Sequence, residues 1–144
     1  MLTSFLFKGI AIGDSLLRPV VTELQHRSDI RVLFKPGATL RTFHSDFFSV
    51  EKISPQLWQK VEIIWILVGT NDIDNGQKRK EGFKLGKFAE EYRDLLLSIQ
   101  AHLRAIHITC CAVVPRLVDY DETKSIINVV NKKIRKMCNQ VNAT

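Results

Sequence analysis

The sequence has few of the features that mark membrane, secreted or fibrous proteins. Seven glycines and four prolines in 144 residues exclude a collagen-like or low-complexity chain. There are three cysteines, and the side chains of the adjacent pair Cys110 and Cys111 would point to opposite faces of a strand. We therefore expect no disulfide framework and a reducing, intracellular location, most simply the cytoplasm.

Long apolar runs and ligand-binding motifs are also missing. The apolar start of the chain is short, contains Lys8 and lacks a basic beginning, so we expect neither a signal peptide nor a membrane span. The cysteines lack the paired spacing of a zinc site, and the aspartates of residues 72–74 and 119–121 lie on separate loops. No glycine loop of the phosphate-binding or dinucleotide type is present. We therefore predict no metal and no cofactor.

Apolar residues make up 45% of the chain, which suits one globular domain, placed here at residues 5–142. Short apolar runs alternate with segments of helical periodicity. Strands are predicted at 5–12, 30–34, 62–68 and 106–114, helices at 16–24, 55–61, 83–104 and 121–141, a short helix or turn at 38–48, and a surface loop at 73–82. This alternation predicts an α/β fold with a parallel sheet and right-handed crossovers.

Short polar motifs follow the predicted strands. They are Gly13-Asp14-Ser15, Gly37, Gly69-Thr70-Asn71-Asp72 and Pro115-Arg116. Since ligands of parallel α/β sheets bind beyond the carboxyl ends of the strands, we expect these motifs to share one rim.

Ser15 is the candidate nucleophile, because a strand-to-helix turn would expose its hydroxyl at the positive end of the helix. Asn71 can donate a side-chain amide hydrogen to an oxyanion, and Gly37 can donate an unobstructed backbone N–H. Each residue alone also fits a plainer role, Ser15 as a helix cap and the other two as turn residues. Only their order and spacing make the set specific.

In that order and spacing, the motifs resemble those of the SGNH hydrolases, the family of GDSL esterases and lipases. Residues 10–16, Ile-Ala-Ile-Gly-Asp-Ser-Leu, look like the nucleophile block. Residues 36–39 look like the glycine block, residues 68–72 like the asparagine block, and residues 113–116 like the strand end that comes next in many members. The resemblance implies a three-layer sandwich around a flavodoxin-like parallel sheet.

The resemblance also implies roles for individual residues. Ser15 would form an acyl-enzyme, while the Ser15 N–H, the Gly37 N–H and the Asn71 side chain would form the oxyanion hole. Asp14, Gly69 and Asp72 would support the turns around them. The implied function is hydrolysis of a small carboxylic or acetyl ester.

The sequence departs from the family where a fifth strand, an aspartate and a catalytic histidine are expected. No histidine or acidic residue follows Met137. His26, His102 and His107 are predicted far from the rim, and only His44 falls in a segment that could reach it. Because a serine without a base is a poor nucleophile at neutral pH, we predict a truncated or inactive copy that lacks the last strand. Whether the chain is an enzyme stays open, as does its oligomeric state.

The net charge of +6 supports a second hypothesis, a catalytically dead module of the same fold that binds RNA, DNA or a protein partner. The basic residues concentrate in two patches. They are Lys78, Arg79 and Lys80, and Lys132, Lys133, Arg135 and Lys136. Solvated surface faces are the plainer interpretation of both patches.

Overall fold

A computed structural model of the chain describes residues 8–14, 23, 29–46, 61–73, 82–103, 106–113, 120–141 and 143. Strands and helices alternate along it. The strands are β1 Gly9–Gly13, β2 Ile30–Phe34, β3 Ile63–Leu67 and β4 His107–Cys110. The helices are α1 Leu40–Asp46, α2 Thr70–Ile73, α3 Leu85–His102 and α4 Tyr120–Gln140.

The four described strands form one parallel sheet in the order β2-β1-β3-β4. β1 lies between β2 and β3, with Ile12 opposite both Leu33 and Ile66. This order agrees with the first four strands of flavodoxin-like sheets, which place their ligand site where the chain changes direction, between β1 and β3. The predicted α/β fold with a parallel sheet is confirmed.

Alternating side chains divide the sheet into two faces, as the pleat of a strand requires. On one face, isoleucines of β1, β3 and β4 pack with buried side chains of α1, α3 and α4 in a single cluster. On the other face, Ala11 packs with the partly buried Val32, Trp65 and Leu67. Gly9 is needed there, because a Cβ at its position would lie 2.6 Å from the Trp65 ring.

The predicted element boundaries differ from the structure in two instructive places. β4 ends at Cys110, four residues before the predicted end, because β3 ends at Leu67 and the Cys111 N–H makes the last bond to it, through the Ile66 carbonyl. Residues 70–73, placed partly in a turn and partly in a loop, form the short helix α2. The predicted helices at 16–24 and 55–61 lie outside the described residues except for Glu23, which is helical, and Val61.

Within the described residues, no helix combines the length and apolarity needed to cross a membrane.

Candidate active site

The carboxyl end of β1 is tied to both neighbouring strands at the rim of the sheet. The Asp14 N–H donates to the Leu67 carbonyl at the end of β3, at 3.4 Å, and the Lys35 N–H just past β2 donates to the Gly13 carbonyl at 3.0 Å. Asp14 is completely buried. Ser15 lies outside the described residues, so the structure locates the candidate nucleophile only through Asp14, its covalent neighbour.

Gly37 lies in an exposed turn that directly follows β2. The Ala38 N–H donates to the Lys35 carbonyl at 3.1 Å and closes the turn. Gly37 has a φ of +77°, a left-handed conformation that glycine adopts without steric cost. No heavy atom of the described residues lies within 4 Å of the position that a Cβ would take at Gly37. The backbone of Gly37 therefore borders open space at the rim.

Asn71 projects from α2, just beyond the end of β3. Gly69 makes the turn between them with a φ of +124°, and a Cβ there would lie 2.9 Å from Cγ2 of Val113. The Asn71 side chain is buried, with an exposed fraction of 8%, and its Nδ2 donates to the Ala38 carbonyl at 3.0 Å. This bond brings the asparagine loop against the residue that follows Gly37.

Asp72 strengthens the same junction. Its two carboxylate oxygens accept the backbone N–H of Leu40, at 3.1 Å and 3.4 Å. Leu40 is the first residue of α1, and its N–H has no partner within the helix. Asp72 thus provides the first turn of α1 with an acceptor from a distant loop. Asn71 and Asp72 together fix the loop of residues 37–40 against the end of β3.

The segment after β4 is held by a residue that the sequence did not indicate. The Asn131 side chain of α4 accepts the Val113 N–H at 2.7 Å and donates to the Val113 carbonyl at 2.8 Å. A strand partner would make the same pair of bonds. Sequence reasoning missed Asn131 because a polar residue in a surface helix gives no signal of a partner 18 residues away. Pro115 and Arg116 lie outside the described residues.

Two described histidines lie away from this rim. His107 is the first residue of β4, at the opposite end of the sheet, and His102 lies in the last turn of α3, with Nδ1 2.8 Å from the Ser98 carbonyl. His44 is half-buried in α1, one turn after Leu40. His26 lies outside the described residues.

A small cavity adjoins the asparagine loop. It has a volume of about 190 Å³, and Asp72 forms part of its wall. The other lining residues are Gly82, Phe83, Lys84, Lys87, Phe88 and Glu91. The cavity combines an aromatic wall with two cations, next to the residues that join the loops at the rim.

The described part of the chain contains no group of three or more histidine, cysteine, aspartate or glutamate side chains that could hold a metal ion. Lys132, Lys133, Arg135 and Lys136 are exposed on α4. Lys78, Arg79 and Lys80 lie outside the described residues. One of the two predicted basic patches is therefore located, on the last helix.

No family model and no curated protein matches the sequence. Solved structures do match the fold. The acetyl xylan esterase AlAXEase aligns with a TM-score of 0.70 at 16% identity, over 94% of this chain and 74% of its own. A GDSL-like lipase from Bacteroides thetaiotaomicron VPI-5482 aligns with a TM-score of 0.70 at 14% identity, over 99% of this chain and 68% of its own.

A third solved structure, a candidate acylhydrolase from Bacteroides fragilis NCTC 9343, aligns with a TM-score of 0.72 at 13% identity. The alignment covers 94% of this chain and 64% of the other, so the chain spans less than two thirds of that protein's length. Identities this low establish a shared fold rather than a shared activity. The chain has the flavodoxin-like α/β fold of the SGNH hydrolases.

Proposed function

We propose that the chain is an SGNH-type serine hydrolase of carboxylic or acetyl esters, with Ser15 as its nucleophile. The observation that carries the proposal is the Asn71–Ala38 hydrogen bond of 3.0 Å, which brings the proposed amide donor next to Gly37. Asp14, adjacent to Ser15 in the chain, is tied to the same rim through Leu67. Oxyanion stabilisation requires this kind of convergence, because its donors must be fixed before the charge develops.

In the proposed reaction, the Ser15 hydroxyl attacks the ester carbonyl carbon and the alcohol leaves. Water then hydrolyses the acyl-enzyme. The backbone N–H groups of Ser15 and Gly37 and the Asn71 amide stabilise the oxyanion in both steps. One such donor contributes about 2.7–4 kcal/mol to transition-state stabilisation. The bond from Asn71 to Ala38 orients the amide in advance, so little reorganisation is needed when the substrate binds.

The cavity beside Asp72 is the proposed binding site for part of the substrate. Its volume of about 190 Å³ is below the roughly 300–1,000 Å³ of pockets for drug-sized ligands. That size favours a small acyl group such as acetyl. The ester substrates in the names of the structural neighbours, xylan acetyl esters among them, support the same class.

Among the described residues, no histidine is placed beside the proposed site to act as a general base. His102 and His107 lie at the other end of the sheet from the rim, and no described contact links His44 to Asn71 or Asp72. Without a base the serine stays protonated at neutral pH and reacts slowly. We therefore propose that this chain by itself hydrolyses esters slowly, and that an added base can take the place of the missing one.

Hydrolysis of p-nitrophenyl acetate, with and without added imidazole, tests this proposal. We expect a low rate for the chain alone and a Ser15-dependent increase with imidazole, after subtraction of the reaction of imidazole with the ester. Ser15→Ala should lose that increase, whereas Ser45→Ala, a change at an exposed serine of α1, should keep it. Equal rates for the chain and Ser15→Ala under both conditions would contradict the proposal.

A second candidate function is binding of RNA or DNA by a catalytically dead module. The observation in its favour is a groove of about 240 Å³ between α3 and α4, whose wall includes Arg93, Lys133 and Lys136 as well as Glu90. Phosphate contacts by these cations would release counterions and give a steep decrease in affinity with salt. Neutralising Lys133 and Lys136 with glutamine should flatten that salt dependence, and an unchanged slope would exclude this groove.

A further inference from the structure

Two cysteines from distant parts of the chain line one cavity on the β4 side of the molecule. Cys110 is the last residue of β4, and Cys138 lies near the end of α4. The cavity between them has a volume of about 310 Å³, and its wall also includes Ile134 and Arg135. Both thiols are free, and Cys138 is only 4% exposed.

The two thiols are neighbours with unequal acidity. A hydrogen bond between the Cys110 and Cys138 side chains lowers the pKa of Cys138 below its usual value, and burial of Cys138 acts in the opposite direction. The same bond, together with burial, raises the pKa of Cys110 far above its usual value. Arg135 precedes Cys138 by three residues, which puts both on the same side of α4. Both residues line the cavity.

Cys110 also lies next to a buried tyrosine of α3. The Tyr92 side chain is fully buried next to Cys110, and burial raises the pKa of its hydroxyl well above the usual value. Among the described residues, the Tyr92 oxygen has no well-formed hydrogen bond. Within the described residues, the cavity between β4 and α4 gives small reactants a route to the two sulfurs.

We propose that Cys110 and Cys138 are a redox-reactive thiol pair, which a small hydroperoxide entering the cavity converts into a disulfide that joins β4 to α4. A molecule of water occupies about 30 Å³, so the cavity has room for hydrogen peroxide. This reactivity is distinct from the proposed ester hydrolysis and does not depend on it.

The reaction balances with one peroxide for each thiol pair. The Cys138 thiolate attacks one peroxide oxygen, an S–O bond forms, the O–O bond breaks, and the leaving hydroxide takes a proton to become water. The Cys110 sulfur then attacks the sulfenic acid of Cys138, an S–S bond forms, the S–O bond breaks, and a second water leaves with the Cys110 proton. Two thiols lose two electrons in total, and the peroxide gains them.

Cys111 provides a matched control within the same chain. It is adjacent to Cys110 and free, but it does not line the cavity. Burial raises the pKa of its thiol, and no hydrogen bond from a second thiol offsets that effect. A selective pair should therefore leave Cys111 reduced.

The test treats the reduced, folded chain with stoichiometric hydrogen peroxide, followed by thiol counting and tryptic mapping under non-reducing conditions. We expect two of the three free thiols to be lost and peptide 105–116 to become linked to peptide 137–144. Because peptide 105–116 contains both Cys110 and Cys111, the assay is repeated on Cys111→Ser, which should give the same link. Dithiothreitol should restore all thiols.

Two further variants identify the order of the steps. Cys110→Ser should stop at a sulfenic acid on Cys138, which dimedone traps, and Cys138→Ser should lose both the sulfenic acid and the link. The wild-type map needs no variant to fold, so it decides the main point. A link between Cys110 and Cys111, a link from Cys111 to Cys138, or a link that forms as fast in guanidinium as in the folded chain would overturn the proposal.

Discussion

Two asparagine side chains fasten the rim of the sheet, and they do so in different ways. Asn131 uses both ends of its amide on one residue, since it accepts the Val113 N–H and donates to the Val113 carbonyl. Asn71 donates to the Ala38 carbonyl, 33 residues earlier in the chain. The first asparagine makes the bonds that a strand partner would make to the segment after β4. The second joins two loops that leave different strands.

The two asparagines therefore have different roles: Asn131 belongs to the framework of the fold, and Asn71 belongs to the candidate site. An amide whose oxygen and nitrogen both bind one backbone residue holds that residue and has no further role in our proposal. An amide placed where the ends of β1, β2 and β3 meet can also act on a bound substrate, because ligand sites of parallel sheets form at that position. The two asparagines should therefore respond differently to the same substitution.

The largest expected effect is on catalysis. Asn71→Ala removes the proposed side-chain donor of the oxyanion hole, so the Ser15-dependent, imidazole-assisted hydrolysis of p-nitrophenyl acetate should fall by about 10²–10³-fold. Asn131→Ala should leave that rate within a few-fold at a temperature where both variants are folded. Measurement of kcat/KM for the two variants checks the contrast. Similar losses in both would mean that Asn71 acts only as a structural residue.

The next largest effect is on stability, where we expect replacement of Asn131 to cost more than replacement of Asn71. Asn131→Ala leaves both the N–H and the carbonyl of Val113 without their partner, and Val113 is only 2% exposed. Each buried group left unsatisfied costs about 1–3 kcal/mol, so we expect a loss of at least about 2 kcal/mol in the free energy of unfolding. Asn71→Ala removes the side-chain donor to the Ala38 carbonyl, and we expect it to cost less.

Urea denaturation of the two variants measures this difference. Asn139→Ala is the control, because Asn139 is an exposed residue two turns further along α4 and its replacement should change the free energy of unfolding by less than about 0.5 kcal/mol. A smaller loss for Asn131→Ala than for Asn71→Ala would show that Asn131 is not the stronger clamp.

Local patterns in the sequence were enough to predict the strands and their arrangement. The continuous apolar run at 62–68 predicted a strand covered on both sides. β3 does span Ile63–Leu67, but its side chains alternate between buried on one face and partly buried on the other. The parallel arrangement was predicted from the alternation of strands and helices. The shared rim was predicted from topology alone, since the ends of parallel strands lie at one edge. The meeting of residues 37–40 with Asn71 and Asp72 agrees with that expectation.

The sequence could not predict features that depend on a partner distant in the chain. The end of β4 is set by the length of β3, and the clamp on Val113 is set by Asn131. Cys110 and Cys111 are adjacent in the sequence, but the thiol that interacts with Cys110 in space is that of Cys138 in α4. Such pairings arise from the packing of α4 against the sheet, which no local periodicity encodes.

The smallest expected effect is a change in the free energy of unfolding when alanine replaces a glycine. We compare a glycine at the rim with a glycine in the framework of the fold. Gly37 and Gly86 both have open space where a Cβ would be added, but Gly37 has a φ of +77° and Gly86 lies in the first turn of α3. Gly37→Ala should lower the free energy of unfolding by about 1–2 kcal/mol, because an L-residue is strained in the left-handed region. Gly86→Ala should raise it by up to about 1 kcal/mol, because alanine loses less conformational freedom in a helix. Neither added Cβ would contact a described neighbour, so the two substitutions should differ only through the backbone. If urea denaturation shows both changing the free energy of unfolding in the same direction, the turn at Gly37 relaxes to a right-handed conformation. Its backbone N–H would then not be held in a fixed direction.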